Sequence, residues 1–193
     1  IEPAWPAYRE CAQNSGIKVR AIKTTIESKW EPSVQQIDDA INSNTKMIVL
    51  NYPNNPTGKI LPPKLQDKII EIATKNDLYI LSDEIYSQYT YNKEWKSVLS
   101  YNYKKSIITQ SFSKSHSMTG FRIGYAIADS QIIDKMAKLQ ALCLTNVSEP
   151  IQYVALQALK ADTNTNSINM KSRLNTVTQI AKAMKLDFVE PDG

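Results

Sequence analysis

The sequence is poor in the residues that build metal and redox sites. Its 193 residues include one histidine and two cysteines. Cys11 and Cys143 are far apart and match no metal or redox spacing, so we expect free, buried thiols in a reducing cytoplasm and no metal site. No apolar run approaches the roughly 18 residues that a membrane span needs, and the first residues do not read as a secretory signal. We therefore expect a cytoplasmic protein that does not bind a membrane.

The charge distribution gives little support for nucleic-acid binding. The formal net charge is +4, but the lysines are scattered and only "YNYKK" at 101–105 is locally basic. Hydrophobic residues make up 42% and charged residues 22%, which is typical of a globular domain. The chain begins as though at the exit of a strand and stops at a turn, so we expect a piece of a longer protein.

Short apolar runs alternate with helical patterns along the first two thirds of the chain. This order predicts an α/β fold with a largely parallel sheet flanked by helices. Helices are predicted at 33–44, where Ser33 and Gln36 form a capping box, and at 62–77. Three consecutive helices follow at 130–143, 149–161 and 165–185. The predicted strands are 17–22, 46–52, 78–82, 106–111 and 122–128. We interpret 1–193 as one partial domain, with 165–193 as a connector that leads out of it.

Polar clusters follow three of the predicted strands. They are "NYPNNPTGK" at 51–59, "SDEIYSQY" at 82–89 and "SFSKS" at 111–115. In open α/β sheets, ligands bind beyond the carboxyl ends of the strands. The three clusters are therefore expected to converge on one site.

The residue types in these clusters fit the requirements of a pyridoxal phosphate enzyme. Such an enzyme needs a lysine that forms a Schiff base with the cofactor and later transfers protons. It needs a carboxylate at the pyridine nitrogen and donors to the phenolic oxygen. It also needs a cation and hydroxyls for the phosphate, and usually an aromatic ring on the pyridine face.

Each requirement has a candidate residue in this sequence. Lys114 is the predicted amine and Asp83 the carboxylate, whereas Glu84 beside it is expected to be structural. Tyr86 and Asn55 are the predicted donors to the phenolic oxygen, and Tyr86 also counts with Lys114 and Asp83 as catalytic. The remaining cofactor-binding candidates are Ser111, Ser113 and Arg122 for the phosphate and Trp5 for stacking.

Four motifs together carry a family resemblance. "PAWPAY", "NYPNNPTG", "SDEIY" and "SFSKSHSMTGFRIGY" occur in the order and spacing that resemble the class I/II (fold type I) aminotransferases. The resemblance extends over essentially the whole chain and implies the same roles for these cofactor-site candidates, except for Ser113, which has no counterpart in it. It also implies a cis peptide between Asn55 and Pro56. On this basis the chain is most of the large, cofactor-binding domain, without its N-terminal segment and small domain.

The resemblance implies an activity as well. An aminotransferase moves an amino group from an amino acid to a 2-oxo acid, here expected to be 2-oxoglutarate, and the full-length enzyme is expected to be a homodimer. Because part of the phosphate site and the substrate-carboxylate arginine belong to the missing segments, we expect this chain alone to be inactive.

The branch of the family and two alternatives stay open. "SKSHSMTGFRIGY" is most similar to the aspartate/aromatic aminotransferase or aminotransferase A branch. One alternative is a carbon–sulfur β-lyase with the same cofactor. The other is a non-catalytic aminotransferase-like domain of a regulator.

Overall fold

The computed structural model describes residues 1–91 and 93–193, and a four-stranded sheet lies at its centre. The strands follow one another in sequence order: β1 (Met47–Asn51), β2 (Tyr79–Asp83), β3 (Ser106–Ser111) and β4 (Gly124–Ala128). β1, β2 and β3 are parallel, and β4 runs antiparallel to β3. The predicted, largely parallel α/β sheet is confirmed, as are four of the five predicted strands.

The strand predicted at 17–22 is wrong. These residues belong to no ladder, and the nearest pairing is an isolated bridge between Glu2 and Lys23. Ile17 and Val19 are 59% and 38% exposed. Alternating apolar residues suggested a strand, but residues 17–22 have no neighbouring strand among the described residues, and Ile22 packs against the core from an irregular segment.

Seven α-helices accompany the sheet within the described residues. The capping box of the second helix is confirmed, because the Ser33 hydroxyl accepts from the Gln36 amide at 3.1 Å and the Gln36 side chain accepts from the Ser33 amide at 2.8 Å. The first helix was not predicted, and none of its residues is buried. The helices are α1 (Ala7–Asn14), α2 (Val34–Asp39), α3 (Pro63–Lys75), α4 (Phe112–Ser115), α5 (Ser130–Leu144), α6 (Glu149–Ala158) and α7 (Asn164–Ala183).

Two apolar clusters hold the elements together. In the larger one, Ile69 and Ala73 of α3 pack with Leu50 of β1 and Ile80 of β2, and all four side chains are fully buried. Burying a side chain of the size of isoleucine or leucine contributes about 1.5–3 kcal/mol. The smaller cluster lies beneath α4 and consists of Phe112, Met118, Ile123 and Ala155. The sheet therefore packs on the larger cluster, and α4 packs on the smaller one.

The two cysteines are free, but both are exposed, so the prediction that they are buried is wrong. They lie on α1 and α5, two helices in which no residue is buried. Within residues 1–91 and 93–193, no helix has the length and apolar character needed to cross a membrane.

Glu84 is a buried carboxylate, 2% exposed, directly after β2. It accepts hydrogen bonds from the hydroxyls of Ser82 at 3.0 Å and Ser97 at 2.7 Å, and from the Val98 amide at 2.9 Å. Val98 begins a 3₁₀ turn, so the carboxylate caps that turn and fixes the end of β2. Glu84 is structural, as predicted. Removal from water raises the pKa of its carboxyl.

Glu84→Gln is expected to change how stability depends on pH. The folded-state pKa of Glu84 is raised above its ordinary value of about 4.5. The stabilisation that Glu84 gives to the folded state is therefore fully present below that value. The contribution is lost as pH rises through the folded pKa. The free energy of unfolding of the parent, relative to Glu84→Gln, should therefore decline as the pH is raised from about 4.5 towards neutrality. Urea unfolding across this range measures the difference, with Glu71→Gln as the exposed control. A difference that grows with pH would contradict the assignment.

Candidate cofactor site

A cleft of about 880 Å³ lies where the parallel strands end. Four predicted site residues line it: Asn55 after β1, Tyr86 after β2, and Ser113 and Lys114 on α4. The three polar clusters therefore meet at one place, as predicted. A further wall of the cleft comes from α7, which the sequence did not assign to the site. Its lining residues are Asn166, Asn169, Met170, Arg173, Leu174 and Val177.

Lys114 lies on α4, the short helix that begins where β3 ends. The Ser111 hydroxyl caps this helix by accepting from the Ser113 amide at 3.0 Å, so the strand turns directly into the segment that carries the lysine. The Lys114 side chain is solvent-accessible, and its Nζ lies 5.9 Å from the centroid of the Tyr86 ring. The predicted amine and one predicted phenolic donor are thus close neighbours.

Asp83 is the last residue of β2 and lies outside the residues that line the cleft wall. Its carboxylate accepts a hydrogen bond from the Tyr8 hydroxyl of α1 and one from the Ile85 amide at 3.3 Å. Burial raises the pKa of Tyr8, and the hydrogen bond to Asp83 raises it further. Tyr8 therefore stays protonated and donates to Asp83 at any physiological pH.

Ser111 and Arg122 are neighbours, although neither lines the cleft wall. Ser111 lies opposite Gly124 in the β3–β4 ladder, and its hydroxyl donates to the carbonyl of Ile123 at 3.4 Å. Arg122 has a left-handed backbone conformation with φ of 50°, and its Nη1 donates to the Thr119 carbonyl at 2.9 Å. This bond uses one of the five N–H donors of the guanidinium.

Trp5 is 54% exposed and is also not part of the cleft wall. It lies three residues before Tyr8, which connects this segment to Asp83. Its predicted stacking role stays a prediction.

Gly58 ends the turn that carries Asn55, and its surroundings leave no room for a side chain. It has φ of +64°, and a Cβ at this position would lie 2.6 Å from Cβ of Pro191. The amides of Asp192 and Gly193 both donate to the Gly58 carbonyl, at 2.8 and 2.9 Å. The peptide between Asn55 and Pro56 is cis, which confirms the expectation drawn from the family resemblance.

Tyr8 is a residue that the sequence reasoning missed, and Tyr8→Phe is expected to destabilise the fold by about 1.5–3 kcal/mol. This is the usual value for a hydrogen bond to a charged group. The change removes the side-chain donor to the Asp83 carboxylate and leaves the ring in place. Urea unfolding measures the loss. The control is Tyr101→Phe, whose hydroxyl donates to the exposed Asp67, and it should cost less. Equal losses in both variants would argue against a special role for Tyr8.

Comparison with known proteins identifies the family. The sequence model of the aminotransferase class I and II family matches residues 1–192, so the chain belongs to that family. It is 33% identical over its whole length to aspartate aminotransferase from Thermotoga maritima, covering 52% of that protein. It is 36% identical to asparagine–oxo-acid transaminase from Streptococcus mutans, over 99% of the chain and 51% of the relative.

Solved structures agree with the sequence comparison. The chain is 32% identical to the crystal structure of the Thermotoga maritima aspartate aminotransferase, with a TM-score of 0.96 over the whole chain and 52% of that structure. Aromatic aminotransferase from Pyrococcus horikoshii gives a TM-score of 0.93 at 30% identity, over the whole chain and 54% of that structure. The chain thus spans about half the length of the relatives it matches.

Proposed function

We propose that the protein is a pyridoxal phosphate-dependent aminotransferase, which moves an amino group from an amino acid to a 2-oxo acid. The observation that carries this proposal is the cleft at the strand ends. This cleft is lined by four of the predicted residues, Lys114, Tyr86, Asn55 and Ser113. Asp83 is the last residue of β2, the strand that leads to Tyr86. Membership of the aminotransferase class I and II family supports the same activity.

The donor set of the cleft fits an anionic, aldehyde-bearing cofactor. Among the described residues that line it there is no aspartate or glutamate side chain, whereas Lys114 and Arg173 are cationic. Amide, hydroxyl and phenol groups supply the remaining polar contacts. Such a lining favours a phosphorylated ligand over a cationic one.

Each candidate residue then has a defined task. Lys114 would attach the cofactor covalently and, when released, would move the proton at the substrate Cα. Asp83, oriented by Tyr8, would hold a proton on the pyridine nitrogen. When bound, pyridoxal phosphate supplies an electron-poor ring that acidifies the substrate Cα–H. Tyr86 and Asn55 donate to the phenolic oxygen. We assign the binding of the phosphate to Ser111, Ser113 and Arg122. Trp5 is assigned to stack on the face of the ring.

The names of the relatives support a choice of substrates for the whole protein. Those named above are an aspartate aminotransferase, an asparagine–oxo-acid transaminase and an aromatic aminotransferase. We therefore expect an amino acid of one of these kinds as donor and a 2-oxo acid, 2-oxoglutarate first, as acceptor. We also expect the whole protein to be a cytoplasmic homodimer.

Borohydride trapping tests the proposal. The chain is mixed with pyridoxal phosphate, reduced, digested and analysed by peptide mass spectrometry. A reduced adduct concentrated on Lys114 supports the proposed role of this lysine. Label spread evenly over the lysines, or none at all, would contradict a cofactor site formed by this chain.

A further inference from the structure

The backbone carbonyls of α4 are held from outside the helix. A four-residue helix cannot satisfy its own last carbonyl groups. Here three consecutive carbonyls accept side-chain donors instead. Ser113 accepts from the Thr119 hydroxyl at 2.9 Å, and Lys114 accepts from the Tyr89 hydroxyl at 2.8 Å. The Ser115 carbonyl accepts from the Asn166 amide at 2.9 Å.

Tyr89 links the lysine segment to the loop after β2. This loop also carries Tyr86, and the Tyr89 amide donates to the Tyr86 carbonyl at 2.8 Å. The hydroxyl bond from Tyr89 to Lys114 therefore fixes the backbone of the amine relative to the ring that lies nearest to it. Burial raises the pKa of Tyr89, which keeps the hydroxyl a donor.

Asn166 links the same segment to α7. It lies in the first turn of that helix, and the next residue, Ser167, donates its hydroxyl to the Gln88 carbonyl at 3.0 Å. The start of α7 thus bonds both to α4 and to the loop that carries Tyr89. α4, this loop and α7 form a closed set of hydrogen bonds around Lys114.

We propose that Tyr89 and Asn166 are positioning residues that hold the Lys114 amine in its reactive place beside Tyr86. This inference rests on the proposed function, since it concerns the same lysine. A lysine side chain is a flexible four-carbon stem, so its reach depends on where its backbone is fixed. Reactive groups must be held within about 0.5 Å of their productive geometry. Bonds to the Lys114 and Ser115 carbonyls supply that restraint.

The test measures trapping kinetics and amide exchange in Tyr89→Phe and Asn166→Leu. Each has a matched control that removes a similar bond far from the cleft. Tyr103→Phe removes a hydroxyl bonded to the Ala73 and Leu78 carbonyls. Asn76→Leu removes an amide bonded to the Ile72 carbonyl at 2.9 Å. Trapping on Lys114 is followed against pyridoxal phosphate concentration. Hydrogen exchange is followed at the amides of Ser117 and Met118, which bond to α4 carbonyls.

Tyr89→Phe and Asn166→Leu are each expected to lower the maximal rate of trapping on Lys114 by about tenfold. The half-saturating cofactor concentration should stay within about twofold, because phosphate contacts are untouched. Exchange at Ser117 and Met118 should accelerate about fivefold or more, and the control variants should change neither quantity.

Trapping rates equal to those of the controls would overturn the proposal, and so would unchanged exchange. Failure of the parent chain to label Lys114 would instead contradict a cofactor site formed by this chain, which is the observation that carries the proposed function. The exchange measurement needs no cofactor, so it still decides in that case whether Tyr89 and Asn166 anchor the lysine segment.

Discussion

Lys114→Arg is expected to abolish the reduced cofactor adduct and to leave the fold intact. The substitution keeps the positive charge, but a guanidinium stays protonated and is not available as a nucleophile. The trapped fraction should fall by about 100-fold or more if Lys114 is the attachment point. Lys114 is exposed, so the free energy of unfolding should change by only about 0.5 kcal/mol.

The comparison uses the trapping assay with mass spectrometry, and Lys104→Arg is the control at another exposed lysine. Label that persists at the parent level in Lys114→Arg would place the attachment point elsewhere. Label lost equally in both variants would show that the assay reports surface lysines. Only a selective loss in Lys114→Arg supports the proposed function.

Asp192→Asn is expected to destabilise the protein by about 3 kcal/mol. The Asp192 carboxylate lies 2.8 Å from Nζ of Lys59, and the two side chains are only 7% and 5% exposed. Removing one partner of a buried ion pair leaves the other charge in a poor environment, which costs about 3–5 kcal/mol. The Glu190 carbonyl, at 3.3 Å, is a neutral acceptor and offsets little of this. Lys93, which also contacts Asp192 at 3.2 Å, remains exposed.

Urea unfolding measures this effect, and Glu190→Gln is the matched control. Glu190 lies two residues earlier and pairs with Lys182 at 3.4 Å, with both side chains more than half exposed. Such a surface pair contributes about 0.5 kcal/mol or less. Adding Lys59→Met to Asp192→Asn should recover much of the loss, since it removes the uncompensated charge. A loss in Asp192→Asn no larger than in the control would contradict the description of a buried pair.

The sequence predicted what local patterns encode. β1 to β3 were found because short apolar runs end in polar clusters, and parallel pairing then placed Asn55, Tyr86 and Lys114 at one edge of the sheet. The strand predicted at 17–22 failed because a local pattern does not show whether a neighbouring strand exists. Whether a segment with this pattern forms a strand depends on whether another strand pairs with it.

The supporting contacts of the site were beyond sequence reasoning. The bond from Tyr8 to Asp83 joins residues 75 apart, and the bond from Asn166 to Ser115 joins residues 51 apart. Tyr89 and Lys114 are separated by 25 positions. No periodicity or motif relates such pairs, because long-range hydrogen bonds made by side chains depend on how the folded chain arranges its segments.

The close packing at Gly58 changes how the "NPTG" motif should be interpreted. A side chain there would collide with Pro191, and the Gly58 carbonyl receives the amides of Asp192 and Gly193. A segment more than 130 positions downstream therefore already excludes a side chain at position 58. A library of variants at position 58 would report on the docking of that segment. Tolerance to substitution within a motif therefore does not by itself identify the residues that touch a cofactor.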